Sequence, residues 1–83
     1  MILDGIWREK EIVDKDGNLY RFDRVIFNFN TIILIDYKTG DEKVSSYKKQ
    51  IQKYRDVLSD YFPGKIIKSY IIQLNTGEVI RVE

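Results

Sequence analysis

The stretch Thr31-Ile32-Ile33-Leu34-Ile35-Asp36-Tyr37-Lys38 decides how this chain folds. From Thr31 to Ile35, β-branched and apolar side chains fill both alternating sets of positions, the pattern of a central strand covered on each face. The run then changes character. Asp36 and Lys38, two residues apart, project together at the strand's end while Tyr37 points the other way. Thr39-Gly40-Asp41-Glu42 breaks the strand.

On the N-terminal side, Asn28-Phe29-Asn30 reads as a short turn and Leu19 to Phe27, rich in aromatic and β-branched residues, as the preceding strand. Before it, Asp14-Lys15-Asp16-Gly17-Asn18 is a cluster of turn formers whose Asp-Gly pair suits the positive φ of a tight hairpin. Gly5 to Val13 is then the first strand. Asp14 and Asp16 resemble the start of a calcium loop, but no Glu stands at the required distance and the hairpin accounts for them.

On the C-terminal side, Ser45 or Ser46 is the expected N-cap of a helix running to about Phe62, where Pro63-Gly64 ends it. Tyr47, Ile51, Tyr54, Leu58 and Tyr61 are spaced by four, three, four and three, one stripe of a helix, while Lys48, Lys49, Lys53, Arg55 and Asp56 fall largely towards solvent. Ile66 to Leu74 reads as a strand, Asn75-Thr76-Gly77 as a turn and Glu78 to Val82 as a last strand. The expected fold is α/β, a mixed sheet in the order β-β-β-α-β-β. One helix covers one face only, so the central strand asks for a partner or, the reading we favour, for a helix upstream of Met1 in a larger protein.

Composition narrows the chemistry. The 83 residues make one domain, 1–83, with 43% hydrophobic and 33% charged residues, an ordinary globular balance. No apolar run approaches the ~18 residues of a membrane span, and the start has no secretory pattern, so a cytoplasmic location is expected and no membrane partner. Cysteine and histidine are absent, which excludes disulfides, zinc fingers, iron-sulphur clusters and imidazole catalysis. There is no Walker A pattern, since Gly64-Lys65 is followed by Ile66. A net charge of +1 does not mark a nucleic-acid binder, but Lys43, Lys48, Lys49, Lys53 and Arg55 form a locally basic helix region. Such a face is more often simply solubilising than a track for phosphates. Trp7, Tyr20, Phe22, Phe27, Phe29 and Tyr70 are read as packing residues.

Oxygen ligands and lysine are what remain. Asp23, in Arg21-Phe22-Asp23-Arg24, comes close to Asp36 if the Asn turn sets the register. Two adjacent carboxylates repel, and a hard divalent cation, Mg2+ or Mn2+, is one way to keep both ionised. Asp23, Asp36 and the backbone carbonyl of Tyr37 would hold it, with Lys38 beside a phosphodiester. From spacing alone, the ordinary reading of Asp36 and Lys38 is a solvated ion pair, and that of Gln50 and Tyr54 a core tyrosine with a satisfied amide.

Taken together, Arg21-Phe22-Asp23-Arg24-Val25, Ile35-Asp36-Tyr37-Lys38-Thr39-Gly40 and Gln50-x-x-x-Tyr54 closely resemble the RecB-type branch of the PD-(D/E)XK nuclease superfamily. The likeness is to the nuclease domain at the C-terminus of AddA/RecB-type helicase-nucleases and runs over essentially the whole chain. It implies a restriction-endonuclease-like core, α-β-β-β-α-β, of which this chain supplies everything after the first helix. It also implies metal binding by Asp23 and Asp36, a catalytic Lys38, and DNA handling by Gln50 and Tyr54. The implied activity is Mg2+-dependent exonuclease-type hydrolysis of DNA, with Mn2+ as a substitute, in recombination and repair alongside a helicase domain or subunit. Many members draw a histidine ligand from the preceding helix, and this chain has no histidine. Glu9 or Glu11 would be an acidic substitute, or else an edge-strand surface charge. Two other readings stand beside it: a non-catalytic module that binds DNA or docks onto a helicase, and a structural domain that pairs through an open edge strand.

Overall fold

The computed structural model describes residues 5–39 and 44–82. It is an α/β fold with the elements β1 (Gly5–Val13), β2 (Leu19–Phe27), β3 (Thr31–Lys38), α1 (Val44–Tyr61), β4 (Ile66–Gln73) and β5 (Val79–Val82). The five strands form one mixed sheet in the order β1-β2-β3-β4-β5. Only β3 and β4 run parallel, because α1 makes the crossover between them.

The first hairpin is built by Asp14. Its carboxylate accepts from the Asn18 and Asp16 N–H groups, from Asn18 Nδ2 and from the Tyr20 hydroxyl at 2.8–3.1 Å. Desolvation pulls Asp14 up, yet these donors outweigh it and hold the group below its ordinary pKa. Gly17, at φ +86°, supplies the positive φ expected of the Asp-Gly pair. The second turn is tighter: the Asn28 N–H donates to the Thr31 carbonyl at 2.8 Å, which sets Phe27 opposite Ile32.

The core lies between the sheet and α1. Phe22, Val25, Ile32, Leu34 and Ile71 from the strands meet Tyr47, Ile51, Val57 and Leu58 from the helix, all buried. Several expectations shift. The helix starts at Val44, so Ser45 and Ser46 lie inside its first turn rather than capping it, and the capping position falls outside the described residues. Val57 joins the core, while Tyr61, at the overhanging end of the helix, is half exposed and uses its hydroxyl on the Val13 carbonyl. Phe29 is not a packing residue; it is 80% exposed at the turn. β4 stops at Gln73, one residue short of Leu74, and β5 starts at Val79, one residue after Glu78.

β3 is covered on one face only. Ile32, Leu34 and Asp36 are buried beneath α1, whereas Thr31, Ile33, Ile35 and Tyr37 are half-buried on the other face beside Ile26, Tyr70 and Ile72. Among the described residues nothing packs on that second face.

One irregularity shapes everything that follows. In β2 both Phe22 and Val25 are buried, so strict alternation fails between them, at Asp23 and Arg24. The β1–β2 ladder pairs Arg8 with Arg24 and Lys10 with Phe22 but skips Glu9 and Asp23, and Glu9 stands at φ +49°, rare for a residue with a side chain. Both strands therefore change face at the same step.

Replacing Gly17 by alanine tests the first hairpin. A Cβ there meets no atom within 4 Å, so the cost is conformational alone, and we expect about 1 kcal/mol lower stability in urea unfolding. An unchanged midpoint would contradict the positive φ.

Candidate functional site

The β2–β3 ladder ends at Arg24 opposite Ile35. One step further, Asp23 would face Asp36 as a backbone pair. Instead the Tyr37 N–H donates to Asp23 Oδ2 at 2.9 Å, a carboxylate taking the place of a strand carbonyl. The two strands fork here, and the fork stands at the C-terminal ends of the parallel strands β3 and β4, where α/β sheets characteristically bind ligands.

Asp36 turns under the helix and is 5% exposed. Burial first, and then the Asp23 carboxyl hydrogen-bonded beside it, push its pKa up from 3.8 to about 6, against the pull of Lys38. Lys38 Nζ lies 3.0 Å from Asp36 Oδ2, close enough for an ion pair, yet that oxygen receives no well-aligned hydrogen bond. The ammonium donates one of its protons to Gln50 Oε1 at 2.8 Å and sits 4.9 Å from the centre of the Tyr47 ring. Gln50 Nε2 donates in turn to the Tyr54 hydroxyl at 3.2 Å. Tyr54 is fixed by edge contacts to Tyr20 and Phe22, at 5.6 and 5.0 Å between ring centres.

Asp23, Asp36, Lys38, Gln50 and Tyr54 thus form one continuous chain of contacts across β2, β3 and α1. Gln50 and Tyr54 are one helical turn apart, but Gln50 is exposed at the rim rather than buried in the core. Glu9 pairs with Arg21 at 3.5 Å and lines a cleft with Asp23, while Glu11 is exposed and stands opposite Arg21 in the ladder. Arg55 is half-buried rather than turned fully to solvent, and its guanidinium donates to the Ile67 and Val82 carbonyls at 3.2 and 3.4 Å. Lys48, Lys49 and Lys53 are exposed.

Gln73 is a buried polar residue beside the candidate site that sequence reasoning missed. It pairs with Lys38 in the parallel ladder, is 9% exposed, and its Oε1 has no hydrogen-bond partner. The signal for it was weak, an amide on the inward face of a strand that also buries Ser69 there.

The donor set suits a hard divalent cation. Two carboxylates are held together against their repulsion, and Asp36 Oδ2 lacks a hydrogen bond. The Tyr37 N–H leaves β3 on the Asp23 side, and a strand residue's carbonyl leaves on the same side as its N–H. The Lys38 carbonyl, accepting from Leu74 N–H, leaves on the other. Among the described residues no third carboxylate joins Asp23 and Asp36 in a metal-sized group. No described helix is long and apolar enough to cross a membrane.

No protein-family model matches the chain, and no curated protein is significantly similar to it.

The charge state of Asp36 makes a measurable difference in the metal-free protein. A carboxyl whose folded pKa is raised favours folding in its protonated form, a contribution intact below about pH 4 and lost as the pH rises through about 6. Asp36→Asn keeps the neutral form throughout. At about pH 8 it should unfold with roughly 1–3 kcal/mol more free energy than the natural chain, and the gap should close by about pH 4. Urea unfolding without divalent cations checks this; an asparagine variant that is less stable at pH 8 would mean that the Lys38 ion pair outweighs burial and repulsion.

Proposed function

We propose that this chain is a metal-dependent deoxyribonuclease module of the RecB type, with a restriction-endonuclease-like core, that hydrolyses phosphodiester bonds in DNA during recombination or repair. The observation that carries the reading is the convergence of Asp23, Asp36, Lys38, Gln50 and Tyr54 at one strand fork. Residues separated by up to 31 positions meet there, which supports the reading. A helicase domain or subunit is the partner this reading implies.

Asp23, Asp36 and the Tyr37 carbonyl would hold Mg2+ or Mn2+. The chemistry a bound ion supplies is polarisation of a phosphodiester oxygen and acidification of water. Lys38 places a positive charge beside the developing negative charge of the phosphate, where a preorganised cation lowers the barrier most. Its direction is set before substrate arrives, since Gln50 Oε1 accepts one of its protons and Tyr54 holds Gln50. Asp36, whose pKa is raised to about 6 in the metal-free site, binds a cation in its ionised form, so binding should strengthen as the pH rises through about 6.

Labelled single- and double-stranded DNA incubated with Mg2+ or Mn2+ should be degraded, and a chelator should stop the reaction. Asp36→Ala and Lys38→Ala should each slow it by at least about 100-fold while circular dichroism stays that of the natural chain. Undiminished cleavage by Asp36→Ala would overturn the scheme.

One observation favours a second reading, a non-catalytic module that binds DNA or docks onto a helicase: Lys38 already sits 3.0 Å from Asp36, so the carboxylate is partly neutralised without a metal. A Mn2+ titration followed by amide NMR separates the two. Broadening confined to the neighbourhood of Asp23, Asp36 and Lys38, and lost in Asp36→Ala, belongs to the nuclease reading; no localised broadening belongs to the second.

A further inference from the structure

On the face of the sheet away from α1, the same fork carries a second pair of like charges. Arg8 and Arg24 stand directly opposite each other in the β1–β2 ladder. Trp7 and Val25, their neighbours in the chain, turn towards the core, so both arginines project from the open face. Like charges in directly opposed positions destabilise a sheet. Neither arginine forms a salt bridge with a described acid; the nearest pair at this place is Arg21 with Glu9 at 3.5 Å.

Arg24 is half-buried, and its Nε is enclosed without any acceptor. Its guanidinium carbon lies 5.9 Å from the centre of the Tyr37 ring, which fixes the plane of the fork without satisfying its donors. Arg8, Glu9, Asp23, Arg24 and Tyr37 line an open cleft of about 400 Å³. Of its two carboxylates, Glu9 is engaged by Arg21, and Asp23 Oδ2 accepts the Tyr37 N–H and faces the fork.

We infer that Arg8 and Arg24 form a phosphate-binding site that seats a backbone phosphate of the nucleic acid next to the one at Asp23 and Asp36. An oxyanion between the two guanidiniums would turn their repulsion into attraction and would give Arg24 the acceptors it lacks. Arginine's planar fork suits phosphate better than a lysine point charge does. The cleft shares Asp23 with the candidate metal site, so a strand entering the fork would meet the arginine pair and the carboxylates in succession. This inference rests on the nuclease reading for its ligand, though not for the anion site itself.

The test uses the whole chain and inorganic phosphate as probe, at ionic strength matched with chloride. Phosphate should raise the melting temperature of the natural chain and of Lys49→Gln, an exposed helix control, but not of Arg8→Gln or Arg24→Gln. Without phosphate, Arg8→Gln should melt no lower than the natural chain, because it removes a repulsion. Arg8 is exposed, so this variant keeps the test decisive even if Arg24→Gln fails to fold. A labelled oligonucleotide in the presence of a chelator then reads the same site by fluorescence anisotropy. Each arginine variant should bind roughly 10-fold more weakly and lower the slope of log K against log salt by about one.

Phosphate stabilisation that persists in both arginine variants, or none in the natural chain, overturns the site. Cleavage of DNA with undiminished binding in both variants overturns it too, leaving the nuclease reading in place. Phosphate stabilisation that depends on the arginines, in a chain that neither binds nor cuts DNA, upholds the anion site and removes the nuclease reading.

Discussion

The hydrogen bond from the Tyr37 N–H to the Asp23 carboxylate holds the forked end of the sheet together. A sheet normally satisfies its backbone donors with backbone carbonyls, and a strand that stops pairing leaves them unsatisfied. Here a side chain supplies the acceptor, so β2 can leave β3 one residue early without an orphaned N–H. That exchange requires Asp23 to be displaced from the regular pleat, which the double change of face at Glu9 and Asp23 achieves. Everything at the site follows from it: the approach of Asp23 to Asp36, the cleft on the open face, and the outward turn of Arg24.

The rigidity of the arrangement comes from the other side of the sheet. Lys38 is not steered by its ion partner alone, since its best-aligned bond goes to Gln50, and Gln50 is placed by a tyrosine wedged against Tyr20 and Phe22. Orientation of the ammonium is therefore carried by aromatic packing in the core, reached through one amide. Burial of Asp36 under the same helix raises its pKa, so the core that orients the cation also makes the neighbouring anion costly.

How much of this could be read in the sequence depends on what each feature rests upon. The register of Asp23 with Asp36 was legible because a short turn at Asn28–Asn30 leaves little freedom, and each residue can be counted out from it. The meeting of Lys38 with Gln50 was not legible from helical spacing, which reads Gln50 and Tyr54 as a core pair; only the resemblance placed them beside the strand end. The irregularity at Glu9 was not, because no glycine or asparagine marks the positive φ and the strain is imposed by the neighbouring strand. Arg55 was misread for another reason: periodicity places its Cβ near solvent, while its length carries the guanidinium back to carbonyls at the sheet edge. Val57 and Tyr61 exchanged roles because a stripe on a helix fixes direction but not where the sheet beneath it ends.

Two like-charge pairs lie within two residues of each other along β2, the carboxylates of Asp23 and Asp36 and the guanidiniums of Arg8 and Arg24. Each pair is unfavourable on its own, and a fold selected only for stability would place opposite charges across these positions. They are also segregated: the acids meet at the fork, where Lys38 offsets part of their charge, and the bases lie on the open face beside it, not paired by the salt bridge between Arg21 and Glu9. A ligand that brings a cation and an anion together removes both penalties at once, and a metal-bound phosphodiester is such a ligand. Local conflict of this kind, concentrated at one end of an otherwise well-paired sheet, supports the proposed binding site over a merely solvated surface.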